Sequence, residues 1–157
     1  MSKKIIIPLL CILLTNFSSD LQGQNWPGWR GPNGDGSSFE KNLPIEWDSV
    51  TNVVWKSKVP GTGHSSPVIW EDKLFITSAI PGTNEKKLLC YDAINGNLLW
   101  QRTVVKAALE KKHADNSFAS GTPATDGKLV YVSFLDVEDI VVAAYDFNGT
   151  KIWEQRP

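Results

Sequence analysis

Two histidines, and the hydroxyl residues beside one of them, are the side chains of this sequence that first suggest nucleophilic or metal chemistry. His64 is followed by Ser65 and Ser66. A nucleophilic serine of the GxSxG type lies on a sharp turn between a strand and a helix, and that pattern is not found here. Neighbouring strand residues also point to opposite faces of a sheet. We therefore expect no hydrolytic site at His64, and no metal site shared with His113, because no third ligand accompanies the pair.

Two glycine-containing loops suggest ion binding at first sight. When Gly36 in residues 33–38 (NGDGSS) is aligned with the turn glycine of a calcium-binding EF-hand, Gly31 and Asn42 fall at its first and twelfth ligand positions, where neither supplies a carboxylate. Residues 61–63 (GTG) precede a strand pattern, whereas a phosphate-binding loop precedes a helix. Both segments are predicted to be turns without a bound ion.

The first residues read as an export signal. Two lysines precede an apolar run at residues 5–14, and a polar stretch follows it. Ten apolar residues suit a signal peptide, predicted at 1–23, and fall short of the roughly 20 that span a bilayer. Cys11 lies inside the apolar run without a small residue beside it, so we expect no lipid anchor. We therefore expect an exported protein, periplasmic or extracellular, without a transmembrane segment, whose remaining thiol, Cys90, is buried.

The composition limits the class of partner. The net charge is −1 and the pI is about 6.1, so no basic surface is predicted for nucleic acid. Hydrophobic residues form 41% of the chain, enough for a packed core.

A repeat organises the chain from residue 65 onward. Tyr-Asp, an Asn-Gly turn and a Trp occur in the same order twice, and the matched positions include Pro67 and Pro123, Ser78 and Ser133, Tyr91 and Tyr145, and Trp100 and Trp153. Each copy contains four strand-like runs rich in β-branched and aromatic residues, separated by turns. The runs are predicted at 65–70, 73–79, 87–92 and 97–103, and at 121–125, 128–134, 140–146 and 150–155. Residues 104–112, between the copies, are compatible with a helix.

Four meandering strands in about 50 residues, repeated, are typical of β-propeller blades, with a β-sandwich as the alternative. We predict an all-β fold in which residues 24–51 form an N-terminal extended segment and 52–157 a partial propeller, with blades at 65–103 and 121–155. Because two blades cannot close a ring, we expect an incomplete fragment of a longer protein. Residues 52–58 would be the closing strand of its last blade.

The repeated pattern of Tyr-Asp, Asn-Gly and Trp resembles the tryptophan-docking motif of pyrroloquinoline-quinone (PQQ) repeats. Residues 91–100 (YDAINGNLLW) and 145–153 (YDFNGTKIW) are the two versions of it. The resemblance implies that Trp100 and Trp153 join neighbouring blades, and that Gly96 and Gly149 are the turn surfaces on which such rings stack. A glycine lets an aromatic ring approach the backbone closely.

Residues 26–32 (WPGWRGP) and 60–67 (PGTGHSSP) extend the likeness to secreted bacterial PQQ-like propeller proteins, including those similar to the lipoprotein that assists outer-membrane assembly. It implies a non-enzymatic binding or assembly scaffold. The alternative is a PQQ-dependent alcohol or sugar dehydrogenase, which needs calcium and a general base and whose cofactor ligands would lie in the missing blades. PQQ with calcium stays open as a cofactor, although no residue present here supports it and no catalytic or metal-binding residue is assigned.

One side of the predicted blades is the expected place for a ligand. The connections at 59–64, 80–86, 104–120 and 135–139 should emerge together, opposite the tight turns. They are the longer connections, and binding residues concentrate on loops held by a rigid scaffold. We name this side the loop face and the other the turn face, and expect a protein or small-molecule ligand on the loop face.

Overall fold

The computed structural model describes residues 23–41 and 43–157, where the chain forms two antiparallel four-stranded sheets. The signal peptide predicted at 1–23 lies outside these residues except for its last position. Each strand pairs with the next strand in sequence, so both sheets are meanders and form two blades of a β-propeller, as predicted. Blade 1 contains β1 (Val68–Trp70), β2 (Lys73–Ile80), β3 (Glu85–Asp92) and β4 (Leu98–Lys106). Blade 2 contains β5 (Ala124–Thr125), β6 (Leu129–Asp136), β7 (Asp139–Asp146) and β8 (Lys151–Gln155).

The aspartate of each Tyr-Asp pair shapes the turn that follows it. Asp92 Oδ1 accepts hydrogen bonds from the backbone N–H groups two and three residues later, at 2.8 and 3.1 Å. Asp146 Oδ1 accepts from those two and four residues later, at 2.9 and 2.7 Å. The turn glycines, Gly96 and Gly149, have φ values of +75° and +80°. These bonds hold the turn while glycine supplies the left-handed backbone, which explains why both residue types recur.

The strand register corrects one sequence match. Tyr91 pairs with Leu74 and Tyr145 with Val130, which aligns the two blades residue by residue. In this alignment Ser133 is equivalent to Thr77, which lies opposite Leu88, and not to Ser78. The serine match is therefore wrong by one position, because the offset between the blades stays the same through β1 and β2 and changes only in the β2–β3 connection, which is longer in blade 1.

The core lies between the blades. Phe75, Cys90 and Trp100 lie side by side across β2, β3 and β4, and Phe75 is fully buried. The ring of Phe75 is 5.1 Å from that of Phe147 in blade 2 and 6.1 Å from that of Trp100. The alternating residues of β6 and β7 that complete the cluster are Val130, Val132, Phe134, Val141, Ala143 and Tyr145. Period-two alternation thus places one face of β6 and of β7 in the core between the two sheets.

One segment differs from the predicted elements, and residues 52–58 stay a prediction as the closing strand of a complete ring. Residues 104–106 continue β4, and the rest of 104–112 forms no helix, because Val105 and Lys106 pair with β3 and this pairing overrides helix propensity. The short helical element in the described part of the chain is a 3₁₀ turn at Pro81–Thr83, and no helix there is long and apolar enough to cross a membrane. Residues 52–58 are not assigned to a strand.

The segment before blade 1 packs onto the innermost strands. Trp26 and Ile69 exchange two backbone hydrogen bonds of 2.8 and 2.9 Å, and the Thr125 N–H donates to the Pro27 carbonyl at 2.9 Å. The Trp26 ring also covers Gly31, whose φ is +72°. Residues 26–31 are therefore tied to β1 and to β5, which connects the two blades at their inner edge.

Candidate functional site

The connections of the loop face contact one another. Thr62 and Ala79 exchange two backbone hydrogen bonds of 2.9 and 2.8 Å. The N–H groups of His64 and Ser65 donate to the Ala119 carbonyl at 3.0 and 3.1 Å. These bonds join connection 59–64 to β2 and to the long connection between the blades. The loop face is thus a continuous surface and not a set of separate linkers.

A cavity of about 450 Å³ lies on this face between the long connection and the β6–β7 hairpin. One wall is largely polar and is formed by residues 110–121, while the other comes from β6 and the start of β7. The lining residues are Glu110, Lys111, Lys112, His113, Asn116, Ser117, Phe118, Ser120, Gly121, Ser133, Phe134, Leu135 and Ile140. A volume of this size, with one apolar wall and one polar wall, is typical of sites for small organic molecules or side chains of a partner.

A buried lysine fixes the long connection beside the cavity. Lys86 of β3 is fully buried, and its Nζ donates both to Glu110 Oε2 and to the Leu135 carbonyl of blade 2. The Glu110 side chain is 11% exposed and lines the cavity. A lysine inside a protein is tolerated only when its charge is paired and hydrogen-bonded. Lys86 therefore links three elements, namely β3, the long connection and β6.

The polar wall is held by hydrogen bonds within the connection. Asn116 Oδ1 accepts from the Ser117 N–H at 2.8 Å and from the Ser120 hydroxyl. Ser117 Oγ accepts from the His64 N–H at 3.0 Å. The Lys112 ammonium lies 5.3 Å from the centre of the Phe118 ring, within the range of a cation–π contact. These contacts give the wall a defined shape before any ligand arrives.

The two histidines make different kinds of contact. The His113 side chain is 78% exposed at the cavity rim, with Nδ1 at 3.4 Å from Asp115 Oδ2. His64 contributes its backbone N–H to the loop contacts, and the Ser65 hydroxyl donates to the Ser66 carbonyl at 3.0 Å. In residues 23–41 and 43–157, no group of three or more His, Cys, Asp or Glu side chains is arranged to hold a metal ion.

The other motifs considered from sequence form local structure. Asp35 Oδ1 accepts two hydrogen bonds from Ser37, both of 2.8 Å, and these bonds lower the pKa of the Asp35 carboxyl. Gly61 approaches Ala79 so closely that a side chain would meet its carbonyl. Cys90 is fully buried, and burial raises its pKa to about 12, so the thiolate needed for reactivity does not form near neutral pH.

Trp100 lies on the Asn-Gly turn of blade 2. A methyl group added at Gly149 would be 2.9 Å from Cδ2 of the Trp100 ring. The indole Nε1 donates to the Phe147 carbonyl at 2.9 Å. Trp153 is 37% exposed, and its ring is 6.1 Å from that of Tyr131 in its own blade. No described glycine turn contacts Trp153.

Gly96 is covered by Trp55, from the segment that precedes blade 1. A methyl group at Gly96 would be 2.5 Å from Trp55 Cε3, and the Trp55 Nε1 donates to the Ala93 carbonyl at 3.0 Å. The sequence signal that could have indicated this contact is the predicted closing strand at residues 52–58, which includes Trp55. Trp70, at the end of β1, covers Gly127 in the next blade in a similar way. No repeated pattern indicates that second contact, because the equivalent position in blade 2 is not a tryptophan.

Comparison with known proteins supports the assignment of two propeller blades. No curated protein matches the chain. The family described as outer membrane protein assembly factor BamB matches residues 48–157. That span contains both blades and the Trp55 segment, and it covers more than half of the sequence. The chain therefore belongs to the BamB family of PQQ-like repeat proteins.

Proposed function

We propose that the protein is an exported, non-enzymatic scaffold that binds a partner on its loop face. The observation that supports this most directly is the cavity of about 450 Å³ between the long connection and the β6–β7 hairpin. Its polar wall is fixed by hydrogen bonds and by the buried Lys86, so binding there needs little ordering of the protein.

The family description agrees with such a role. BamB is named as an assembly factor for outer membrane proteins. By analogy, the partner of this chain is a protein, or a small molecule presented in the same compartment. The apolar run at residues 5–14 supports export, and it is the reason for proposing a periplasmic or extracellular location.

The dehydrogenase alternative needs groups that the described residues do not supply. Calcium in such a site is held by several carboxylate and amide oxygens, and the described residues contain no suitable cluster of acidic side chains. The chain also has no adjacent cysteine pair to cap a quinone, since its two cysteines are Cys11 and Cys90. We therefore assign no step to PQQ.

Site-specific photo-crosslinking tests the scaffold role. A photoreactive residue replaces His113 at the cavity rim, and a matched variant has it at Asn95, which is exposed on the turn face. In an extract of the cell envelope, we expect a discrete adduct from position 113 and none from position 95. Equal labelling from both positions, or no adduct from 113, would contradict a partner site on the loop face.

A second measurement addresses catalysis. The purified protein is mixed with PQQ, calcium, an alcohol and an artificial electron acceptor. We expect no reduction of the acceptor and no change in the PQQ absorption spectrum. Reduction that depends on PQQ and calcium would replace the scaffold proposal with the dehydrogenase.

A further inference from the structure

The lining of the loop-face cavity has more positive than negative charge. Among its lining residues in the described chain, the only acidic one is Glu110, and the buried Lys86 Nζ donates to its carboxylate. That negative charge is therefore already balanced. Lys111, Lys112 and His113 follow Glu110 along the rim, and all three are exposed.

Acidic residues close to this lining are paired with other cations. Asp115 does not line the cavity, and its Oδ2 lies 3.4 Å from His113 Nδ1. On the opposite hairpin, Asp136 is paired with Arg156. Among the described residues, no carboxylate forms an ion pair with either of the two rim lysines, at 111 and 112. Their ammonium groups are therefore available to an incoming anion, which they would also attract from a distance.

Apolar side chains border the cavity on both walls. Leu135 of β6 lies directly opposite Ile140 of β7, and the two residues are 42% and 49% exposed. Phe118 belongs to the other wall. The backbone of Leu135 is fixed, because Lys86 Nζ donates to its carbonyl. An apolar side chain placed between the walls would remove water from both, which favours binding.

One lysine and one ring set the distance between the two kinds of contact. The Lys112 ammonium is 5.3 Å from the centre of the Phe118 ring. In an extended peptide, side chains two positions apart lie on the same side at about 6.6 Å, whereas adjacent ones point to opposite sides. A carboxylate and an apolar side chain separated by one residue would therefore reach Lys112 and Phe118 together.

We propose that the cavity binds an extended peptide segment of a partner protein, in which one residue separates an acidic residue from a large apolar one. This rests on the proposed function and names the chemistry of the partner. The carboxylate pairs with Lys111 and Lys112, while the apolar side chain packs between Phe118 and the Leu135–Ile140 pair. A membrane surface is a poorer match, since anionic lipids are recognised by clusters of roughly four to eight basic residues. A small free anion would leave the apolar wall unused.

A peptide titration followed by NMR tests this chemistry directly. The probe is the end-blocked peptide acetyl-Ser-Glu-Thr-Phe-Ser-amide, followed on the methyl signals of Ile140, which are assigned with the I140V variant. We expect these signals to shift on titration. Alanine in place of the peptide's phenylalanine should weaken binding about tenfold, and glutamine in place of its glutamate about threefold. No shift, or equal affinity for all three peptides, would overturn the proposal.

Charge reversal at Lys112 tests the ion pair from the side of the protein. Lys112→Glu should weaken binding of the first peptide at least about fivefold, because attraction becomes repulsion. Lys128→Glu is the matched control, an equal charge change at an exposed residue of the β5–β6 turn, and should change the affinity less than about twofold. Equal effects of the two variants would show that only net charge matters and would overturn the proposal. Unchanged far-ultraviolet circular dichroism confirms that both variants are folded.

Photo-crosslinking separates this proposal from the scaffold role on which it rests. With the photoreactive residue in place of His113, we expect Lys112→Glu to reduce the yield of the adduct and Lys128→Glu to leave it unchanged. An adduct of equal yield in Lys112→Glu would keep the partner site and overturn the acidic and apolar segment as its occupant. Absence of any adduct in the otherwise natural chain contradicts the partner site itself, whatever the peptide does.

Discussion

Trp100 of blade 1 covers Gly149 of blade 2, with its indole nitrogen bonded to the carbonyl of Phe147 at 2.9 Å. The contact joins residues 49 positions apart, and it depends on the absence of a side chain at Gly149. It also lies next to Phe75 in the core between the blades. Packing of the core and docking of the turn are therefore coupled at this one ring.

Gly149→Ala should destabilise the protein strongly. The backbone at this position has a φ of +80°, which costs an L-residue about 1–2 kcal/mol, and the new methyl group would displace the Trp100 ring. We expect a total loss of about 2–4 kcal/mol in urea unfolding. Gly34→Ala is the matched control, since φ is +71° there and nothing lies within 4 Å. Equal losses in the two variants would show that contact with Trp100 does not matter.

Removal of the two blade-end tryptophans should have unequal effects. Trp100→Ala removes a ring packed between the blades and a hydrogen bond, so we expect a loss of about 3 kcal/mol. Trp153→Ala removes a ring that is 37% exposed and contacts mainly its own blade, so about 1 kcal/mol is expected. Urea midpoints followed by circular dichroism give the comparison. A larger loss at Trp153 would be the contradictory outcome.

The sequence predicted the blades because their local chemistry is repeated. Tyr91 and Tyr145 each precede an aspartate whose carboxylate caps the next turn, and this pattern is visible in the letters alone. The strand ends were less accurate: β4 runs to Lys106 because β3 extends back to Glu85 and pairs with it. Such a boundary is set by the partner strand and not by propensity.

The location of the loop face could be predicted from the sequence, but the contacts that form its cavity could not. Its charged core depends on Lys86, whose partners lie 24 and 49 residues away, and no local pattern indicates that this lysine is buried. Trp70 likewise meets Gly127 only through the docking of the two blades. Contacts of this kind are defined by the packing of whole elements, which single-sequence patterns do not specify.

Lys86→Met should destabilise the protein and loosen the cavity wall. The Glu110 carboxylate and the Leu135 carbonyl would both lose their donor in a mostly buried place. We expect a loss of about 2–4 kcal/mol in urea unfolding. The double variant K86M/E110M removes both charges and should recover much of that loss. A double variant as unstable as the single one would mean that the pair is not the cause.

The carboxyl group of Asp126 should titrate well below the ordinary pKa of an aspartate. Hydrogen bonds from the Leu129 and Lys128 N–H groups, and from the Tyr131 hydroxyl, lower its pKa from 3.8 to about 2. Because the folded pKa is the lower one, the stabilisation is complete above pH 3.8 and is lost as the pH falls toward 2. Carbon-13 NMR of the carboxyl group measures the midpoint directly. Tyr131→Phe keeps both backbone bonds, so its midpoint should stay below 3.8; a midpoint at 3.8 in the natural protein would refute the assignment.

Val137→Asn should stabilise the β6–β7 hairpin beside the cavity. Val137 has a φ of +61°, a conformation that is strained for a β-branched residue and is tolerated by asparagine. Its side chain is 51% exposed, so little burial is lost. We expect a gain of about 1 kcal/mol in urea unfolding. Glu138→Asn is the matched neighbour, with no positive φ, and should change stability by less than about 0.5 kcal/mol. A loss of stability in Val137→Asn would show that the contacts of the Val137 side chain contribute more free energy than its backbone strain costs.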